Sequence, residues 1–283
     1  MTRSMTAAIV VAMLMIAACT SSRGPGPSTT PAPAATSAEA THSSSASAAV
    51  SATPIPPASA APSQAIAKHL TTDCFDNSPC VLAAGTWVTF GDNAFVPGMA
   101  ITVPDGWTSP TANAGELKLI PSDHPDDAVF IWEDVAAIES NGGTPKILSG
   151  VPRTADGLTA SFRKNPDFVV STPAKTTIGD GITALTYVIG VSKAARYTSL
   201  DCPSHPACAN ILRDPVHWGP TDFYAIGAPE VVRLYLATVG VASDRHLLVI
   251  GLDATDPVEL ERLTAVAAEI IASIRLPAAM SGQ

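Results

Sequence analysis

Three regimes of hydrophobic and polar patterning follow one another along the chain. Ala7–Ala18 is an unbroken apolar run, "AAIVVAMLMIAA". From Thr20 to about Ser63 nearly every residue is Ser, Thr, Pro, Ala or Gly. From about Ile66 to Pro277 the apolar residues are spaced as in a folded domain.

In that last region "GTWVTF" (Gly85–Phe90) predicts a strand, and Met99–Val103 a short one between the turns Pro97-Gly98 and Pro104-Asp105-Gly106. Trp107 then folds back onto the core. "ELKLI" (Glu116–Ile120) alternates as a half-buried strand does, and a further strand runs from about Ala128 to Val135, after the turn "DHPDD". Arg153–Pro166 predicts a helix with Thr154 as N-cap, Leu158 and Phe162 one turn apart on its apolar face, and Gly157 weakening it. Two strands flank Gly179-Asp180-Gly181, and Pro173 marks an edge or bend in the first. Lys193–Gly219 lacks periodicity and is expected to be a loop insertion. Three more strands lie in "DFYAIG", "EVVRLYLATVG" and "RHLLVIGLD", the last two joined at Gly240–Asp244 as a hairpin. The closing helix has Asp256 as cap, Pro257 at its first position and Glu259 in a capping-box pattern. Its expected apolar stripe is Leu263, Val266, Ile270 and Ile274. Hairpin spacing dominates and βαβ alternation is absent, so the fold class is α+β: an antiparallel sheet with helices packed on it.

The first regime is too short for a membrane span, which needs about 20 residues, and has the length of a signal-peptide core. "IAAC" (Ile16–Cys19) resembles the bacterial lipobox. That resemblance implies cleavage before Cys19, a diacylglyceryl group on its thiol and an acylated (palmitate-type) new amino terminus. Residues 1–18 are then a lipoprotein signal peptide. Residues 19–65 are a disordered Ser/Thr/Pro/Ala-rich tether, with too little to bury to offset the entropy of ordering. Residues 66–283 are a single α+β domain with an insertion at about 193–219. The expected location is the outer face of the cell membrane, with the membrane engaged through the lipid on Cys19.

The formal net charge of -9 arises in the domain, since Arg3, Arg23 and Glu39 are the only charged residues before it. An acidic domain with no Lys/Arg cluster argues against a nucleic-acid partner and against an electrostatic hold on anionic lipid. Beyond Cys19 four cysteines remain, Cys74, Cys80, Cys202 and Cys208. An exported chain with an even count suggests two disulfides. Three pairings are open; the local ones, Cys74–Cys80 and Cys202–Cys208, are preferred because each intervening loop carries Pro and turn formers. A zinc site lacks the usual C-x₂₋₄-C spacing.

The elements "FVPGMAITVPDGWT", the helix before "TTIGDGITALTYVIGV" and the closing "LLVIGLD…AEIIASIRL" resemble actinobacterial LpqN-type lipoproteins of the PsbP-like fold. The resemblance covers most of Thr86–Leu276. It implies an α/β/α sandwich with a central antiparallel sheet and an adaptor-like or ligand-binding role, and it supplies no catalytic residue.

The residues themselves carry no G-x-S-x-G, P-loop, G-x-G-x-x-G or H-E-x-x-H. No catalytic, cofactor-binding or metal residue is assigned and no cofactor is expected. Asp123, Asp126 and Asp127 supply oxygens in "DHPDD" but lack the spacing of a calcium loop, and a solvated turn is expected. His246, early in an apolar strand, is expected to be structural or at the surface. The best recognition candidate is "DPVHWGPTDFY", which crowds His217, Trp218, Asp222 and Tyr224 into the insertion. Three functions stay open. The first is a non-catalytic binding or adaptor module for an envelope protein. The second is a carrier of an apolar small molecule or lipid. The third, an envelope hydrolase, is disfavoured because no nucleophile–base pair is evident.

Overall fold

The computed structural model describes residues 68–69, 80–82, 84–88, 98–112, 115–140, 146–195, 202, 207–219, 221–241 and 244–277. The expected signal peptide, the tether with Cys19, and Cys74 lie outside the described residues. Ala61–Gln283 form one unit.

In chain order the strands before the first helix are β1 (Lys68–His69), β2 (Cys80–Leu82), β3 (Gly85–Val88), β4 (Ala100–Val103), β5 (Trp107–Ala112), β6 (Glu116–Pro121), β7 (Ala128–Glu133) and β8 (Ala136–Ala137). Helix α1 (Ala155–Lys164) follows. Then come β9 (Phe168–Val170), β10 (Ala174–Ile178), β11 (Ile182–Val191), β12 (Cys208–Arg213), β13 (Tyr224–Gly227), β14 (Val231–Val241) and β15 (Asp244–Ala254). Helix α2 (Pro257–Ser273) closes the fold.

Nine strands form one sheet, ordered β10-β11-β14-β15-β7-β6-β5-β2, with β9 also on β11, and every pairing in it is antiparallel. This is the expected α+β class. The break between β9 and β10 falls at Pro173, as expected of a residue that cannot donate to a ladder.

The centre of the sheet is apolar on both faces. Along β15, Leu248, Ile250 and Leu252 point to one side, Leu247 and Val249 to the other, and all five are buried. Such a strand needs cover on each side. On the first face α2 contributes Leu260, Leu263, Ala267, Ile270 and Ile274, together with Trp87 of β3 and Ile101 of β4. On the second face α1 contributes Leu158 and Phe162. A three-stranded sheet, β13-β12-β8, adds Ala209, Ile211, Leu212 and Ile226.

Three sequence expectations change. Cys208–Arg213, inside the region expected to be irregular, is strand β12; it escaped notice because all of its first five residues are buried, which removes the alternation that marks a half-buried strand. Val266 is 43% exposed, because the stripe is centred on Leu263, Ala267, Ile270 and Ile274 and Val266 lies on its flank. The cap on α2 is one-sided: Asp256 accepts from the backbone N–H of Val258 and Glu259, but the Glu259 carboxylate turns to Arg262 Nε, at 2.7 Å. Thr154 caps α1 as expected, accepting from Gly157 N–H.

No helix among the described residues is long and apolar enough to cross a membrane.

Ile270→Ala is expected to cost about 2–5 kcal/mol, the range for truncating a fully buried aliphatic side chain. Glu261→Ala removes an ion pair to Arg233 from a side chain 71% exposed and is expected to change stability by less than about 1 kcal/mol. Urea denaturation of the two variants checks the pair of values.

Candidate functional site

Strand β12 ends at Arg213, and the chain turns at once through Asp214, Pro215, Val216 and His217. Asp214 organises this turn. Its carboxylate is buried, with one oxygen accepting from the backbone N–H of Val216 (2.7 Å) and His217 (3.0 Å). The other oxygen meets His217 Nδ1 at 2.8 Å. The tautomer that donates Nδ1–H to Asp214 leaves Nε2 as the free base of the ring. Arg213 donates to the carbonyls of Trp218 (3.4 Å) and Gly219 (2.7 Å), and Asp222 accepts from Gly219 N–H at 3.0 Å.

The turn rests on Gly115, just before β6. A Cβ there would lie 2.8 Å from Asp214 Oδ2, 2.9 Å from Trp218 Nε1 and 3.0 Å from His217 Cβ. Only glycine admits so close an approach at this point. At the other end of β12, Cys208 is bonded to Cys202, the local pairing preferred from sequence. The strand carrying the turn is therefore anchored at both ends. Val216 is 71% exposed and His217 is exposed, while Trp218 lies half-buried against the core.

Tyr224, at the start of β13, turns its ring the other way. It packs on Phe130 and Trp132 with ring centroids 5.3 and 4.9 Å apart. Trp132 lies over Gly251, where a Cβ would stand 2.8 Å from its Cζ3, and its indole N–H donates to Glu116 Oε2 at 2.9 Å. Lys118 Nζ stands 4.8 Å over the Phe130 ring. Around this aromatic cluster lie three carboxyl groups, Glu116, Asp253 and Glu230; Glu230 Oε2 accepts from Gly227 N–H at 2.7 Å.

Burial under the small sheet sets the protonation of this group. It pushes the Asp253 carboxyl well above the carboxylate range, and the adjoining Glu230 charge pushes it further. Burial likewise holds the Tyr224 hydroxyl well above its ordinary value, reinforced by the charges of Asp253 and Glu230. Glu116 is raised by burial, against the Trp132 hydrogen bond and the Lys118 charge. The cluster therefore holds its protons to higher pH than the same groups would when exposed.

Two histidines lie among carboxylates elsewhere. His124 Nδ1 is 3.4 Å from Glu259 Oε2, but Arg262 joins Asp127 and Glu259 and supplies the cation there. The "DHPDD" turn thus spends Asp127 on an arginine. His246 Nδ1 lies 2.9 Å from Glu133 Oε1 and 2.8 Å from Asp134 Oδ2.

Of the residues singled out from sequence, His217 and Trp218 share one turn and Tyr224 joins a separate aromatic cluster. Only His217 of the three is exposed. Cys80 begins β2, and its expected partner Cys74 lies outside the described residues. The sequence reading missed Asp214, Glu116, Glu230 and Asp253. Asp214 had a signal, since Asp before Pro opens an Asx turn. So had Asp253, a lone acid closing the apolar run "LLVIGL".

No protein-family model matches the chain, and no curated protein compared with it matches either.

Asp253 keeps its proton in the folded state above about pH 4, where the unfolded chain releases it, so its contribution to stability declines as pH rises from there toward its folded value. Asp253→Asn is expected to flatten the fall of unfolding free energy with pH, measured by denaturant melts from pH 4 to 9. An unchanged slope would contradict the assignment.

Proposed function

We propose that the protein is a lipid-anchored module of the cell envelope that binds a partner non-catalytically through the Asp214–Trp218 turn. The observation that carries this reading is the buried Asp214 carboxylate. It fixes two backbone N–H groups and the imidazole of a turn whose tip presents exposed Val216 and His217. An apolar side chain and an imidazole held rigid at the surface lose little entropy on contact with a partner. The anchor and the location outside the membrane rest on the "IAAC" resemblance at Cys19. Membership of the LpqN-type, PsbP-like group, with its α/β/α sandwich, remains part of this proposal. It is supported by one helix on each face of an antiparallel sheet.

A second reading, the carrier of an apolar molecule, is favoured by one feature. A groove of about 620 Å³ runs beside α1, lined by Leu148, Val151, Pro152, Ala160, Thr154 and Lys164. The expected envelope hydrolase is the weakest reading: His217 and Asp214 form a base with its orienting acid, and no described nucleophile stands beside Nε2.

The test uses a photo-crosslinker in place of Val216 in the full-length protein expressed in envelope, with the same probe at Val258, also exposed, as control. The expected outcome is one defined adduct at Val216, lost on His217→Ala or Gly115→Ala and weakened when Cys19→Ala removes the anchor. Equal adducts at both positions, or adducts indifferent to His217, would refute the turn. A mature terminus found by mass spectrometry downstream of an unmodified Cys19 would refute the anchor.

A further inference from the structure

We propose that Glu133, Asp134 and His246 form a binding site for a first-row divalent transition-metal ion. This site is separate from the turn described above. Three donors converge here from two paired strands: Glu133 ends β7, Asp134 follows it, and His246 lies near the start of β15. Their ligating atoms all lie within 4.8 Å of one another.

The two separations from His246 Nδ1 fit neighbouring corners of an octahedron. Two donors about 2.1 Å from an ion stand roughly 3.0 Å apart at a right angle and roughly 3.4 Å apart at the tetrahedral angle. The observed separations from His246 Nδ1 are 2.8 and 2.9 Å. One Nδ1–H faces two carboxylate oxygens in the metal-free protein and can be aligned with only one at a time. An ion that replaces this proton engages all three groups together.

The frame around the donors is preset. Asp134 is the one non-glycine residue with positive φ among the described residues, at φ 50, and this turns its carboxylate toward β15. Its second oxygen accepts from Leu247 N–H at 2.8 Å, and its own N–H donates to Leu247 O at 2.9 Å. The remaining carboxylate oxygen is thereby aimed at His246. The three side chains are 20–35% exposed, so an ion and its waters can reach them.

One imidazole with two carboxylates favours first-row transition ions over Ca²⁺ and Mg²⁺, which prefer all-oxygen ligands, with affinity rising from Mn²⁺ through Co²⁺. The histidine ligates through Nδ1 in its neutral form, with the ring proton on Nε2. The other cluster, His124–Asp127–Glu259, offers the same ligand types, but the Arg262 guanidinium bonds both of its carboxylates.

The test is titration of the full-length protein in detergent with Mn²⁺, followed by loss of the free-ion EPR signal, and with Zn²⁺ by calorimetry. The expected result is one ion per chain and a loss of affinity of about 10-fold or more in His246→Gln. Glu259→Gln, in the arginine-filled cluster, is expected to leave affinity unchanged. If His246→Gln does not fold, Glu133→Gln at the strand end carries the same expectation. Absence of saturable binding overturns the proposal. So does binding that survives both substitutions, or that Ca²⁺ matches in affinity.

Discussion

The domain depends on keeping strand β15 dry on both faces. Antiparallel sheets commonly leave one face to water. Here Leu247, Leu248, Val249, Ile250 and Leu252 follow almost without interruption, and each is buried. Neither helix can cover both sides. Helix α2 with β3 and β4 closes one face, and α1 with the small sheet β13-β12-β8 closes the other. The segment before β13 is therefore part of the core's second cover, and the turn that ends β12 inherits its rigidity from packing.

That second cover also explains the acids beneath it. Glu116, Asp253 and Tyr224 sit half-buried beside the small sheet, where Glu116 accepts from an indole N–H, Asp253 adjoins the Glu230 carboxyl and the Tyr224 ring packs on Trp132. The arrangement costs stability as pH rises. It also ties β6, β7, β13 and β15 to one another through groups that tolerate no slip in register. The contrast between the two histidine clusters follows the same logic. Carboxylates brought together near a surface need a donor, which the Arg262 guanidinium provides in one case and an imidazole N–H in the other.

Much of this was legible in the sequence wherever periodicity carried it. The long hairpins, the helix cap at Asp256 and the Thr154 cap follow from local chemistry that tertiary contacts do not override. The expected stripe of the closing helix, Leu263, Val266, Ile270 and Ile274, differs from the buried one by a single flank residue, because Ala267 meets the i+3/i+4 spacing as well as Val266 does. Strand β12 was hidden because burial on both sides erases alternation. The site was legible only in part. His217 and Trp218 stood out by residue type, but the group that holds them, Asp214, acts through hydrogen bonds to a turn and through a fit against Gly115 from a distant strand. The proximity of Asp253, Glu230 and Tyr224 depends on strand order, which no local pattern encodes.

The proposed binding role requires the Asp214–Trp218 turn to be as rigid as the sheet beneath it. Backbone ¹⁵N order parameters of the free protein measure this directly. The account predicts values for Val216 and His217 near those of β14 and β15, about 0.85, falling in Asp214→Asn. Values below about 0.6 in the unaltered protein would contradict it.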